Sequence, residues 1–186
     1  LRELTRRYGV VLVLDEIQSG YGRTGKFFAH QWAGIKPDLI TVAKGIANGF
    51  PFSGVLISPI FAARKGMLGT TFGGNHLGCA AALAVLKIIR EEKLIENALH
   101  TGTYLMQRLQ ELHSPLIKEI RGRGLMVGVE LTVPVKEVRE PLLFEERIFT
   151  GYSGLYTLRI LPPLILSTKE VDIFVGSLKK VLDGYY

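Results

Sequence analysis

Cysteine is nearly absent from this chain. Cys79 stands alone in 186 residues, so no internal disulfide framework can form and a reducing, cytoplasmic setting is expected. The four histidines, His30, His76, His100 and His113, are far apart and make no ligand pair, and no zinc-finger spacing occurs, so no metal site is expected. No apolar run approaches the roughly 20 residues that span a bilayer, and no secretory or transit pattern opens the sequence. Basic residues outnumber acidic ones by 23 to 17, a net charge of +6, yet the Lys and Arg are scattered and no block of five like charges exists. That scatter argues against a nucleic-acid surface. A chain that is 47% hydrophobic and 22% charged has an ordinary globular balance, enough for one domain or two small ones.

What is present is concentrated at two strand ends. Residues 10–14 are a continuous Val/Leu run, the pattern of a parallel strand covered on both faces. Asp15 closes it. Residues 37–44 read as a second strand with Lys44 at its exit, and Gly45, Asn48, Gly49 and Pro51 make the turn that follows. Ligands of open α/β sheets bind beyond the carboxyl ends of strands. A carboxylate there can hold a heteroaromatic nitrogen protonated, and an amine there can form an imine with an aldehyde. Taken singly, Asp15 reads as a strand-end turn former and Lys44 as a snorkelling surface lysine. Taken together they are what pyridoxal phosphate chemistry needs from a protein.

Residues 1–9 have the look of an amphipathic helix ended by Gly9, and residues 54–58 of another buried strand. Asn75 is a plausible N-cap for a helix from His76 to about Glu92, apolar most of the way round. A second helix carries Ile95, Ala98, Gly102, Leu105, Leu109 and Leu112 on one stripe and ends at Pro115. From Ile117 the character becomes α+β, with a glycine turn entering a strand over 119–131 and a short strand over 158–161 stopped by Pro162 and Pro163. The last helix begins with a capping box, Ser167 to Glu170, and presents Val171, Phe174, Val175, Leu178, Val181 and Leu182 before Gly184. The expected division is 1–95 and 96–186, with the boundary inside the stretch 76–113.

Asp15-Glu16-Ile17-Gln18-Ser19-Gly20-Tyr21-Gly22-Arg23-Thr24-Gly25 resembles the signature of the class III, ornithine-type aminotransferases. So do Pro37-Asp38 through Ala43-Lys44-Gly45 with Gly49-Phe50-Pro51, Thr70-Thr71-Phe72-Gly73-Gly74-Asn75, Arg121-Gly122-Arg123-Gly124-Leu125-Met126, and Leu158-Arg159-Ile160-Leu161-Pro162-Pro163-Leu164. The resemblance covers essentially the whole chain in order, and the branch using acetylornithine or succinylornithine is most similar. It implies an α/β protein of the pyridoxal-phosphate-dependent transferase fold type I: the later part of a large domain with a mostly parallel sheet, over 1–95, and a small C-terminal α+β domain, over 96–186. It implies pyridoxal 5′-phosphate as cofactor, Lys44 as the catalytic lysine that binds it and shuttles a proton, and Asp15 on the pyridine nitrogen. Glu16, Ile17 and Gln18 would complete the cofactor contacts, Ile17 against a ring face and Gln18 on the ring hydroxyl. Thr71 would meet the phosphate in the neighbouring subunit of a homodimer, Thr70 would lie beside substrate, and Arg159 would take a substrate carboxylate or else make a structural salt bridge. The reaction implied moves an amino group from an N-acylated ornithine to 2-oxoglutarate in arginine biosynthesis, with ornithine or 4-aminobutyrate as the alternative donor.

Other conspicuous residues read as structural. The Gly20, Gly22, Gly25 spacing leads into no clear helix and is not a dinucleotide fingerprint. Arg121 and Arg123 are expected to brace the second domain, Cys79 to fill a core position, and Phe27, Phe28 and Trp32 to pack locally. His76 stands where the family often has proline, and Phe52-Ser53 replaces other pairs after Pro51. Because the family's phosphate-binding loop, ring-stacking aromatic and α-carboxylate arginine have no candidate before Asp15, the chain is expected to be the C-terminal part of a longer enzyme and poorly active alone. The rival outside enzymology is an inactive fragment or a basic binding module.

Overall fold

The computed structural model describes residues 1–62 and 64–185, which divide into two compact units, Leu1–Leu94 and Ile95–Tyr186. The first begins with helix α1 (Arg2–Arg7), and Gly9 supplies the left-handed turn after it at φ +62°. Strands β1 (Val13–Asp15), β2 (Leu39–Val42) and β3 (Gly54–Ile57) form one sheet in that order. β1 and β2 run parallel, with Val13 opposite Leu39 and Asp15 opposite Thr41. The Asp38 carboxylate locks the entry to this pair, accepting from the Leu12 amide at 2.8 Å and from Arg2 Nη1 at 2.8 Å. Those two donors hold its carboxyl below the usual aspartate range.

In detail the elements of this unit differ from the sequence pattern. The run 10–14 enters the sheet only from Val13. Val10, Val11 and Val13 of that run, like Val55, Leu56 and Ile57 of β3, are about half exposed, while Leu12 is buried. The three strands form a mixed sheet, β3 being antiparallel to β2. The stretch 43–53 is too short for the crossover a parallel partner requires. Helix α2 (His76–Glu91) does start at the Asn75 cap, whose Oδ1 accepts from the Gly78 amide at 2.7 Å. It buries only Gly78, Ala82 and Ile89, not most of its circumference, and leaves Leu77 and Leu83 exposed and Cys79 half-buried. Gly78 is where Phe52 presses in, since a Cβ there would sit 2.3 Å from the ring.

The second unit holds most of the buried core. Helix α3 (Leu94–Gln110) is followed by strands β4 (Ile117–Arg123) and β5 (Met126–Leu131), helix α4 (Val135–Phe144), strands β6 (Gly151–Ser153) and β7 (Thr157–Ile160), and helix α5 (Thr168–Asp183). The sheet is antiparallel throughout, in the order β4-β5-β7-β6. Val127, Val129 and Leu131 on β5 alternate inward, the period of a half-buried strand. They meet Leu158, Leu105 and Leu109 and the α5 stripe Val171, Val175, Leu178 and Leu182. The expected capping box forms: Glu170 N–H donates to Ser167 Oγ, and Glu170 Oε2 accepts from the Ser167 amide at 2.8 Å. No element was expected over α4. Pro141 lies inside the helix and removes one backbone donor. Val135, Val138 and Leu142 still pin the helix to the core, and their spacing was the available signal.

Arg121 braces this unit as expected, bonding Glu119 at 3.0 Å, Glu130 at 2.9 Å and Thr157 at 3.2 Å. Gly102 lets α3 touch the β4–β5 turn, where a Cβ would fall 2.2 Å from the Gly124 backbone. Alanine would gain about 1 kcal/mol of helix propensity. Overlap against backbone cannot be relieved by changing a rotamer, so overpacking should win. Gly102→Ala is expected to lose about 1–3 kcal/mol net in urea unfolding of the full-length protein; a stabilised variant would contradict this packing.

Candidate active site

The parallel register of β1 and β2 brings Asp15 and Lys44 out at the same edge of the sheet. Asp15 ends β1, and the chain turns at once: its Oδ1 accepts from the Ile17 amide at 2.9 Å, while the Glu16 amide bonds Thr41 O at 3.0 Å. This is the local turn that the sequence allowed for, and it also fixes the carboxylate's orientation. Lys44 follows β2 and opens a single 3-10 turn, Lys44–Ile46, with φ +48°. A non-glycine residue in the left-handed region is strained, and such strain persists only where its surroundings hold it. Here Val42, Ile46 and Ala47 are buried on either side while Lys44 itself is exposed. Thr41 Oγ1, in the rung opposite Asp15, is buried without a hydrogen-bond partner among the described residues.

Glu16 is the most heavily engaged side chain of the loop. It is 3% exposed. One carboxylate oxygen accepts from the Ser19 hydroxyl and from the Ala29 amide at 3.0 Å. The other accepts from the His30 amide at 2.8 Å and faces His30 Nδ1 at 3.0 Å. Burial pushes this carboxyl up, but the Ser19 hydroxyl, the His30 and Ala29 amides and the His30 ring together hold it below the ordinary glutamate value. The carboxylate that was grouped with the cofactor contacts is thus turned into its own loop. Ile17 and Gln18, half-buried, flank it on the side leading to Ser19.

Tyr21, at φ +58° and 8% exposed, packs against Phe27 with ring centroids 5.2 Å apart. Phe28 stacks on His30 at 5.6 Å. The Tyr21 Cβ also lies against Gly45, where a Cβ would be 3.6 Å away, so this aromatic group touches the turn of Lys44. Phe27 and Phe28 pack locally as expected, and Trp32 Nε1 bonds Thr24 O at 3.2 Å. His30, by its spacing in the sequence, looked like an isolated ring.

The remaining sequence candidates lie elsewhere. Thr70 and Thr71 are exposed on the loop leading into α2. Arg159, on β7 of the second unit, lines a cavity of about 400 Å³ with Thr150, Phe149, Leu161 and Phe174. It makes no ion pair among the described residues, so the structural salt bridge considered for it is not formed. Its Nε and the Thr150 hydroxyl are buried without a hydrogen-bond partner. Gly151 leaves room for the guanidinium, since a Cβ there would come within 3.0 Å of Nε. Among the described residues no group of three or more His, Cys, Asp or Glu could hold a metal ion, and no helix is long and apolar enough to cross a membrane.

The chain can now be set beside known proteins. The family model described as "Aminotransferase class-III" matches residues 1–182. An ornithine aminotransferase of Brevibacillus brevis is 40% identical over 97% of this chain and 46% of its own length. An acetylornithine aminotransferase of Mycolicibacterium smegmatis is also 40% identical, over 98% of this chain and 47% of its own length. The solved ornithine δ-aminotransferase of Plasmodium falciparum superposes with a TM-score of 0.92 at 32% identity, covering 99% of this chain and 49% of that one. The chain therefore spans about half the length of the relatives it matches.

The pH response of the Glu16 cluster follows from its depressed carboxyl. Its stabilising contribution is complete above the unfolded glutamate value, about pH 4.3, and is lost as pH falls through the lower folded value. The protection factors of the Ala29 and His30 amides should therefore fall along that acid limb. In Glu16→Gln protection should be lower above that limb and the limb itself flattened; an unchanged limb would assign the response to another group.

Proposed function

This chain belongs to the class III aminotransferases, a pyridoxal-phosphate-dependent family, and we propose that the protein moves the amino group of an N-acylated ornithine to 2-oxoglutarate with that cofactor. Its fold is fold type I, in keeping with its likeness to the solved aminotransferases. The observation that supports the reading is that Asp15 and Lys44 follow adjacent parallel strands and leave the sheet at the same end. The donor set fits the group: a carboxylate for a pyridine nitrogen, an amine for an aldehyde, and an orphaned threonine hydroxyl in the rung beside the carboxylate. When bound, pyridoxal phosphate supplies an electron-withdrawing ring on which an amino group can change carriers.

The chain's own residues would do the rest. Asp15 favours the charged ring nitrogen by direct charge pairing, its orientation set by the Ile17 amide. Lys44 attaches the cofactor and then holds and moves the proton at the substrate Cα. Ile17 lays an apolar surface against one ring face and Gln18 bonds the ring hydroxyl. Thr71 meets the phosphate and Thr70 the substrate across the subunit boundary of a homodimer. Arg159, whose Nε lacks a hydrogen-bond partner among the described residues, presents its guanidinium to a substrate carboxylate, for which a planar donor suits bidentate binding.

A second reading, ornithine itself as donor, is favoured by the equal identity to a relative named for ornithine. Comparing kcat/KM for acetylornithine, succinylornithine and ornithine in the full-length protein decides between them. A ratio favouring ornithine would replace the N-acyl assignment.

Two outcomes test the chemistry. Borohydride treatment of the full-length protein, followed by peptide mapping, should place the pyridoxyl group on Lys44; an adduct solely on another lysine would sink the assignment. Asp15→Asn should keep the cofactor attached but lose two to three decades of turnover, about 3–4 kcal/mol of barrier, because an amide cannot hold the ring nitrogen charged. Wild-type turnover in a folded Asp15→Asn protein would refute that role.

A further inference from the structure

We propose that Glu16 is a positioning residue, which sets the pose of the cofactor ring through the loop it fastens without touching the cofactor; this rests on the proposed function. A carboxylate is costly to bury, and this one is 3% exposed. It is retained in a loop whose neighbouring residues, Asp15, Ile17 and Gln18, are those proposed to contact the ring. Its oxygens gather four donors from two separate stretches, Ser19 on one side and Ala29 and His30 on the other. Charge-assisted bonds of this number outweigh the burial, which the depressed carboxyl reflects.

The fastening reaches both ends of the site. The Gly20 amide returns to Glu16 O at 2.9 Å, a turn so tight that a Cβ on Gly20 would sit 2.8 Å from that oxygen. Ile17, Gln18 and Ser19 are thus held in a closed loop whose floor is the carboxylate. Beyond it, Tyr21 packs on Phe27 and Phe28, Phe28 stacks on the His30 ring that faces Glu16, and Tyr21 lies against Gly45 beside Lys44. One buried anion therefore couples the loop after Asp15 to the turn of Lys44. Glutamine is nearly isosteric but presents an NH₂ where donors already converge. It must leave at least one pair of donors facing each other.

The test compares wild type, Glu16→Gln and Leu178→Ala in the full-length protein with pyridoxal phosphate. Leu178, fully buried on α5, reports plain destabilisation in the other unit. Three quantities are read: thermal midpoint, cofactor dissociation constant, and visible circular dichroism of the bound cofactor. Glu16→Gln should weaken cofactor binding at least about tenfold (about 1.4 kcal/mol) and lower the visible dichroism, while borohydride still traps Lys44. Leu178→Ala should lower the thermal midpoint and leave the other two unchanged. Wild-type affinity and dichroism in Glu16→Gln, whatever its thermal midpoint, would overturn the proposal. Should Glu16→Gln not fold, His30→Ala, which removes the ring donor to Glu16 together with the Phe28 stack, is decided by the same two readouts. A wild-type protein that carries no cofactor overturns the functional reading and this proposal with it.

Discussion

The parallel register that sets Asp15 opposite Thr41 decides that Asp15 and Lys44 leave the sheet at the same end. In an antiparallel pair one strand's end lies beside the other's beginning, and an acid and a lysine at two exits would be separated by the length of the strands. Running parallel, β1 and β2 finish on one edge. Three rungs suffice because the entry is fixed independently, by Asp38 holding the Leu12 amide and Arg2. A slip of one residue would turn each side chain of β1 to the opposite face.

Around that edge the loops are fastened by polar and ring contacts. The second unit has a contiguous core in which β5, β7 and α5 bury Val129, Leu158 and Leu178 completely. The first unit's sheet keeps Val13, Val55 and Ile57 about half exposed. Its loops are held instead by the Glu16 cluster, the Tyr21–Phe27–Phe28 group and the buried residues flanking Lys44. Hydrogen bonds and ring contacts are directional. They fix the loop geometry that carries Ile17, Gln18 and Lys44 more tightly than apolar burial alone would, and a site that has to orient a planar ring benefits from that.

How much of this was legible in the sequence differs by kind of signal. Periodicity and caps located α2, α3 and α5, and the Ser167–Glu170 box formed as read, because such signals are local. Helix α4 was not foreseen, although the Val135, Val138 and Leu142 spacing carries its signal. The direction of β3 was not read, since an apolar run looks the same in either direction and only the short connection reveals the hairpin. Asp15 and Lys44 stood out as polar residues ending apolar runs. The role of Glu16 was invisible because its partners Ala29 and His30 are backbone donors and a lone ring from another stretch. Arg159 showed its unpartnered Nε only once β6 had been laid beside β7.

The central claim is that Asp15 and Lys44 address the two ends of one bound ring. The most direct measurement is a crystal structure of the full-length protein with pyridoxal phosphate. The account expects the ring nitrogen within about 2.7–3.2 Å of an Asp15 oxygen and continuous density from Lys44 Nζ to the cofactor. A ring whose nitrogen faces another residue, or a Lys44 that remains unattached in the saturated protein, would contradict it.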